Sequence, residues 1–161
     1  DTDRNRLSRL LPRADRAGAT GIETRLLNPN RERESFEDWL GSADAVLIDA
    51  PCSGTGTWRR NPEARWRLTQ AQLDRYVAIQ ARLLDLATAL VRPGGRLIYV
   101  TCSLLDDEGA RQARGFLDRH GRAWEADVPE LPAGRVRGAG LRLSPYHDGT
   151  DGFFIARFHS L

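Results

Sequence analysis

At 161 residues with a formal net charge of +2, the chain has the size of one globular domain with a real core, and too little excess charge to bind nucleic acid by charge alone. No apolar stretch approaches the roughly 20 residues that cross a bilayer, and no signal-peptide pattern opens the chain, so the expected compartment is the cytoplasm. All 24 basic residues are arginine and methionine is absent, so parts preceding Asp1 in a longer protein are expected.

Leu7, Leu10, Leu11 and Ala14 recur at helical spacing within residues 1–17, which predicts an amphipathic helix interrupted or kinked at Pro12. Gly18 and Gly21 then introduce a short predicted strand from Ile22 to Leu27, and Phe36, Trp39 and Leu40 give the charged connector that follows a short helical face. The run Ala45-Val46-Leu47-Ile48 suits a strand buried on both faces. Pro51 has no N–H for a sheet ladder, so this strand should end by presenting Asp49 and Cys52.

Thr69 and Gln72 form a capping-box pattern ahead of a long apolar face that includes Leu73, Gln80, Leu84 and Leu90, which predicts a helix ending near Arg92 at Pro93-Gly94-Gly95. Residues 96–101 read as the next buried strand and run directly into Cys102-Ser103. Ser103 is the expected N-cap of a helix carrying Asp106, Asp107 and Glu108 in its first turn and ending near His120. Residues 124–128 suggest a strand, 129–140 a loop and 152–158 a last strand. The alternation predicts an α/β domain with a mainly parallel sheet.

Two cysteines therefore stand at the ends of two strands joined by one helix, and consecutive parallel strands are commonly neighbours. A thiol before a helix start can ionise more readily, as Cys102 would. An inert core cysteine beside a turn gives the same local pattern at either position. Such a pair does not suggest a structural disulfide, and three isolated histidines suggest no zinc site. Arg59, Arg60, Arg65 and Arg67, interleaved with Trp58 and Trp66, suit phosphate contact and base stacking, or a solvated arginine-rich loop.

Asp49-Ala50-Pro51-Cys52-Ser53-Gly54-Thr55-Gly56, Arg92-Pro93-Gly94-Gly95, Thr101-Cys102-Ser103 with Asp107-Glu108, and Asp151-Gly152-Phe153-Phe154 together resemble the RNA cytosine-C5 methyltransferases. The likeness is nearest to their bacterial 16S ribosomal RNA (Sun/Fmu-like) branch. It implies a Rossmann-like fold, S-adenosylmethionine (SAM) as cofactor, and RNA, chiefly 16S rRNA, as partner of a monomer with no metal. It also implies roles. Cys102 adds to C6 of cytosine, because C5 is too poor a nucleophile until a thiolate has added beside it. Asp49 hydrogen-bonds the base near N3 and N4, Cys52 helps remove the C5 proton, and Pro51 shapes their loop. Asp1 would hold the cofactor ribose, Asn28 would stand near the adenine where the family usually has an acid, and Asp49 borders the same pocket. Arg59, Arg60 and Trp58 would meet RNA.

The resemblance leaves competitors. DNA cytosine-C5 methyltransferases use the Pro-Cys cysteine as nucleophile, transfer RNA is a rival substrate, and a non-catalytic RNA-binding module could keep the scaffold. The family's first strand, its Gly-rich cofactor loop and its N-terminal RNA-binding domain have no counterpart in residues 1–161, which are expected to be the later part of the catalytic domain and to bind SAM weakly alone. Arg142, Ser144, Pro145 and His147 precede the last motif as active-site neighbours or as a turn.

Overall fold

The computed structural model describes residues 1–161, which form two compact units, Asp1–Trp39 and Leu40–Leu161. In the first unit, helix α1 (Arg4–Arg16) is capped by Asp3, whose side chain accepts from the amides of Asn5 and Arg6. Pro12 lies inside α1 and does not end it. The bond its missing N–H would have made is to the carbonyl of Ser8, which is exposed and can turn to water.

The predicted strand 22–27 is not part of a sheet. Its backbone is joined to Asp1, through Leu27 N–H to Asp1 O at 2.9 Å and Asp1 N–H to Arg25 O at 3.2 Å, too short a run for a ladder. Arg25 gathers the rest of the unit. Its guanidinium lies 3.9 Å over the Trp39 ring and donates to Asp38, Glu23 and the carbonyl of Ser35. The short helical face expected here is a 3₁₀ turn, Glu34–Trp39.

The second unit is a six-stranded sheet with helices: β1 (Ala43–Asp49), α2 (Gln70–Thr88), β2 (Val91–Thr101), α3 (Ala110–His120), β3 (Trp124–Ala126), β4 (Arg135–Arg137), β5 (Gly140–Leu143), α4 (Pro145–Asp148) and β6 (Phe153–Ser160). The strand order is β1-β2-β6-β5-β4, with β3 also on β6. The α/β class holds, but the sheet is parallel only between β1 and β2, joined through α2; every other pairing is antiparallel. The reason is the connections. After β5 the chain returns through α4 and a turn, too short for the crossover a parallel neighbour needs.

Other elements differ from expectation for local reasons. Strand β1 is at the sheet edge and buries one face, Val46 and Ile48 packing inward while Leu47 is 64% exposed. Helix α2 has its capping box but stops at Thr88, and Pro93-Gly94-Gly95 forms a bulge inside β2. The register passes from Ala43 opposite Val91 to Ala45 opposite Arg96, because Pro93 cannot join the ladder and Gly94 takes φ +73°. The expected loop 129–140 contains β4 and half of a hairpin turning at Gly138-Ala139. Phe116 centres the core, 4.4 Å from the Phe158 ring and 5.7 Å from Trp124, with Leu84, Leu97, Tyr99 and Phe154 fully or almost fully buried around it.

Candidate functional site

The parallel pairing of β1 and β2 brings their carboxyl ends together, with Asp49 opposite Val100. Beyond this pair the chains continue as two loops held to each other by backbone bonds, Ala50 N–H to Val100 O and Gly56 N–H to Cys102 O, each 3.0 Å. The sulfurs of Cys52 and Cys102 lie 3.4 Å apart, both free and both half-buried. The sequence predicted that the thiols share one sheet edge. The structure brings them into direct contact.

That contact separates their acidities. The S–H of Cys52 donates to the Cys102 sulfur and lowers the Cys102 pKa to about 7, against burial and the negative charges of Asp49 and Glu108. Cys52 is pushed up, first by its neighbour's sulfur and then by burial. One thiolate is therefore available near neutral pH, on Cys102, with a protonated thiol beside it.

Below the sulfurs lies a polar floor whose partnerships the sequence reading did not anticipate. Glu108, fully buried, accepts from the Ser53 N–H at 2.8 Å, from the Ser53 hydroxyl, and from Gln80 Nε2 at 3.2 Å. Gln80 Nε2 also donates to Pro51 O at 2.9 Å, so Pro51 meets the floor through its carbonyl. The hydroxyls of Ser53 and Thr55 stand 3.3 and 3.1 Å from that of Ser103, and Thr55 Oγ1 accepts the Leu104 N–H. Ser103 takes the Leu105 N–H and does not cap α3, whose N-cap is Gly109; Asp106–Glu108 form a separate 3₁₀ turn. Only the pairing of acidic and amide residues with the two cysteine loops, Gln80 on a helix face and Glu108 in an acidic turn, hinted at this floor.

The motif before the last strand also closes on the site. Gly152 N–H donates to Gly56 O at 2.8 Å, and a Cβ on Gly56 would stand 2.1 Å from Gly152 O. Arg60 reaches Asp151 at 2.6 Å and Arg59 at 3.4 Å, so both predicted RNA contacts are tied to this motif. Those guanidiniums hold the Asp151 carboxyl below the usual range, Arg60 more than Arg59. The indole N–H of Trp58 is enclosed without a partner. Trp66 is the open aromatic of the segment, 78% exposed with Arg65 at 4.4 Å from its ring. His147 is exposed in α4, beside the Tyr146 ring.

Asp1 and Asn28 belong to the first unit, where the Leu27 N–H bond to Asp1 O brings their segments side by side. A carboxylate and an amide so placed are suited to hydroxyl and amine donors. Asp49 belongs to the second unit. A groove of about 550 Å³ beside α3 is lined by Arg111, Arg114 and Arg137, but each is paired, with Asp107, Asp118 and Asp106. Reactive groups converge at the thiols, not there.

The family model described as 16S rRNA methyltransferase RsmB/F matches residues 1–159. Ribosomal RNA small subunit methyltransferase B of Xanthomonas campestris is 38% identical over 157 residues, 97% of this chain and 35% of that protein. The protein of the same description from Pectobacterium atrosepticum is 38% identical over 114 residues, 71% of this chain and 25% of its own length. The crystal structure of PH0851 superposes with a TM-score of 0.88 at 34% identity, over 98% of this chain and 35% of that one. The chain thus spans between a quarter and about a third of the length of these relatives.

Proposed function

The chain belongs to the 16S rRNA methyltransferase RsmB/F family, and from that membership we propose that it carries the catalytic thiols of an enzyme that methylates C5 of cytosine in small-subunit ribosomal RNA. The Rossmann-like fold agrees with a SAM-dependent transferase. The observation that carries the chemistry is the 3.4 Å contact of Cys52 with a Cys102 whose pKa is drawn down to about 7.

In this reading the Cys102 thiolate adds to C6 of an unstacked cytosine, and Asp49 hydrogen-bonds the N3–N4 edge where charge builds. SAM, when bound, supplies an electrophilic methyl group; Asp1 and Asn28 would hold its ribose and adenine. Addition of Cys102 passes its charge to the ring, and once C5 has taken the methyl group that charge is neutralised, so the like-charge penalty on Cys52 is gone. Cys52 can then lose its own proton to water and take the one on C5. The C6–S bond breaks as that C–H pair forms the C5–C6 double bond, and Cys102 leaves as thiolate. Pro51 holds the loop through its carbonyl bond to Gln80. Arg59, Arg60 and Trp58, joined by the open face of Trp66, would contact the RNA strand.

The test uses the full-length protein with 16S rRNA and labelled SAM. Cys52→Ala is expected to accumulate a covalent protein–RNA adduct on denaturing gels, and Cys102→Ala to abolish both adduct and methylation. An adduct with Cys102→Ala but none with Cys52→Ala would reverse the two roles.

A further inference from the structure

Glu108 is an unusual residue to find at the bottom of this site. Its side chain is fully buried, yet each of its bonds is made as an acceptor, to Ser53 N–H, Ser53 O–H and Gln80 Nε2. An apolar side chain of the same volume would fill the space without the cost of stripping water from a carboxyl group. What the carboxyl group adds is a connection. Ser53 follows Cys52, Ser103 follows Cys102, and their hydroxyls stand 3.3 Å apart, so a hold on Ser53 is a hold on the distance between the sulfurs. Gln80 extends the hold to Pro51, on the other side of Cys52, at 2.9 Å. The main chain of Glu108 is fixed in turn, its carbonyl taking the Tyr99 hydroxyl of β2 at 2.7 Å.

We infer that Glu108 is the positioning residue of the two-cysteine site, its buried carboxylate clamping the Cys52 loop against the Cys102 loop so that the sulfurs stay in contact. The inference rests on the reading of both thiols as reactive groups. Glu108 does not touch the base or the cofactor in this reading; it acts through Ser53 and Gln80.

The charge of Glu108 and its grip pull the thiols in opposite directions, which separates a positioning role from a merely structural one. The groups facing the pair are Asp49 at the end of β1, Glu108 in the 3₁₀ turn, and the Tyr99 hydroxyl from β2. The negative charge of Glu108 opposes ionisation of Cys102, while the contact with Cys52 favours it. Glu108→Gln keeps the volume and an acceptor but removes the charge, so Cys102 should ionise at lower pH. Glu108→Ala releases Ser53, the sulfurs separate, and Cys102 should ionise at higher pH.

The experiment follows the pH dependence of iodoacetamide alkylation at Cys102, read by peptide mass, in the full-length protein. The wild-type midpoint is expected near 7, with Glu108→Gln displaced to the acid side and Glu108→Ala to the alkaline side. Steady-state methylation by Glu108→Ala should show kcat lowered about 100-fold at unchanged KM for RNA, as displacement of a reacting group by about 1 Å does. Wild-type alkylation profiles in both variants, or a fall in thermal stability with kcat and profile intact, would overturn the inference. If Glu108→Ala does not fold, the direction of the Glu108→Gln shift decides alone. If no RNA adduct ever forms with Cys52→Ala, the methyltransferase mechanism fails while the alkylation profile still judges Glu108.

Discussion

The loops that carry the thiols and the arginine-tryptophan segment that follows the first of them are held in opposite ways. Residues 49–56 and 101–108 are fixed by backbone bonds between loops, by three hydroxyls and a buried carboxyl group, and by a glycine contact with almost no space. Residues 58–67 contain one short 3₁₀ turn, Pro62–Trp66, keep Trp66 open, and are tied to the turn before β6 through Asp151, with Arg59 and Arg60 side chains that are 62% and 59% exposed. Bond-making chemistry tolerates little displacement, whereas a flexible polyanion can be met by side chains that adjust. The difference in how they are held matches the two tasks proposed for them.

The comparison breaks first at Gly56. A methyl group there meets the Gly152 carbonyl carbon at 2.6 Å and its oxygen at 2.1 Å, and neither is a side chain that can rotate away. Gly56→Ala should therefore cost about 3 kcal/mol or more, the upper end for overpacking, in denaturant unfolding of the full-length protein. A change below about 0.5 kcal/mol, the range of ordinary surface substitutions, would mean that the two motifs do not close on each other.

A subtler break lies one layer down. Tyr99→Phe removes the buried hydroxyl that donates to Glu108 O at 2.7 Å, leaving only the Thr101 hydroxyl at 3.5 Å. The loss of a partner from a buried carbonyl is worth about 1–3 kcal/mol, and the second donor puts the expected value at the low end. Alkylation of Cys102 at pH 7 should slow with it, because the turn that holds Ser53 loosens. Unchanged stability and unchanged alkylation would show that the floor does not depend on β2.

How much of this was legible in the residues follows the same division. The two cysteines could be placed at one sheet edge because β-branched runs, a proline and one long capped helix are local signals, and the βαβ rule supplied the rest. Glu108 was read as an acid suited to a helix start, and Gln80 as one position on an apolar helix face. Neither reading was unreasonable, since burial of a polar side chain depends on partners 28 to 55 residues away in sequence. Strand β4 was missed although Arg135-Val136-Arg137 and Gly140-Leu141-Arg142-Leu143 flank a two-residue turn containing glycine, a hairpin signal masked by arginines on both strands. The parallel sheet was over-extended because strand direction depends on connection length more than on strand composition.

The smallest effect concerns the open segment, where one carboxylate answers two guanidiniums. Arg59 and Arg60 share Asp151, so the pair presents about one net positive charge rather than two. If these arginines serve RNA, removing that carboxylate should raise the charge available to phosphates by one, and removing Arg60 should lower it by one. For single-stranded contacts each phosphate neutralised contributes about 0.7 to the slope of log affinity against log salt. Asp151→Asn should thus steepen the slope for binding of an rRNA fragment by the full-length protein by about 0.7, and Arg60→Ala should flatten it by about the same amount. Slopes that do not move in either variant would leave Arg60 only its bond to Asp151, and would assign the segment to holding the Asp151-Gly152 turn against the thiol loop rather than to meeting the substrate.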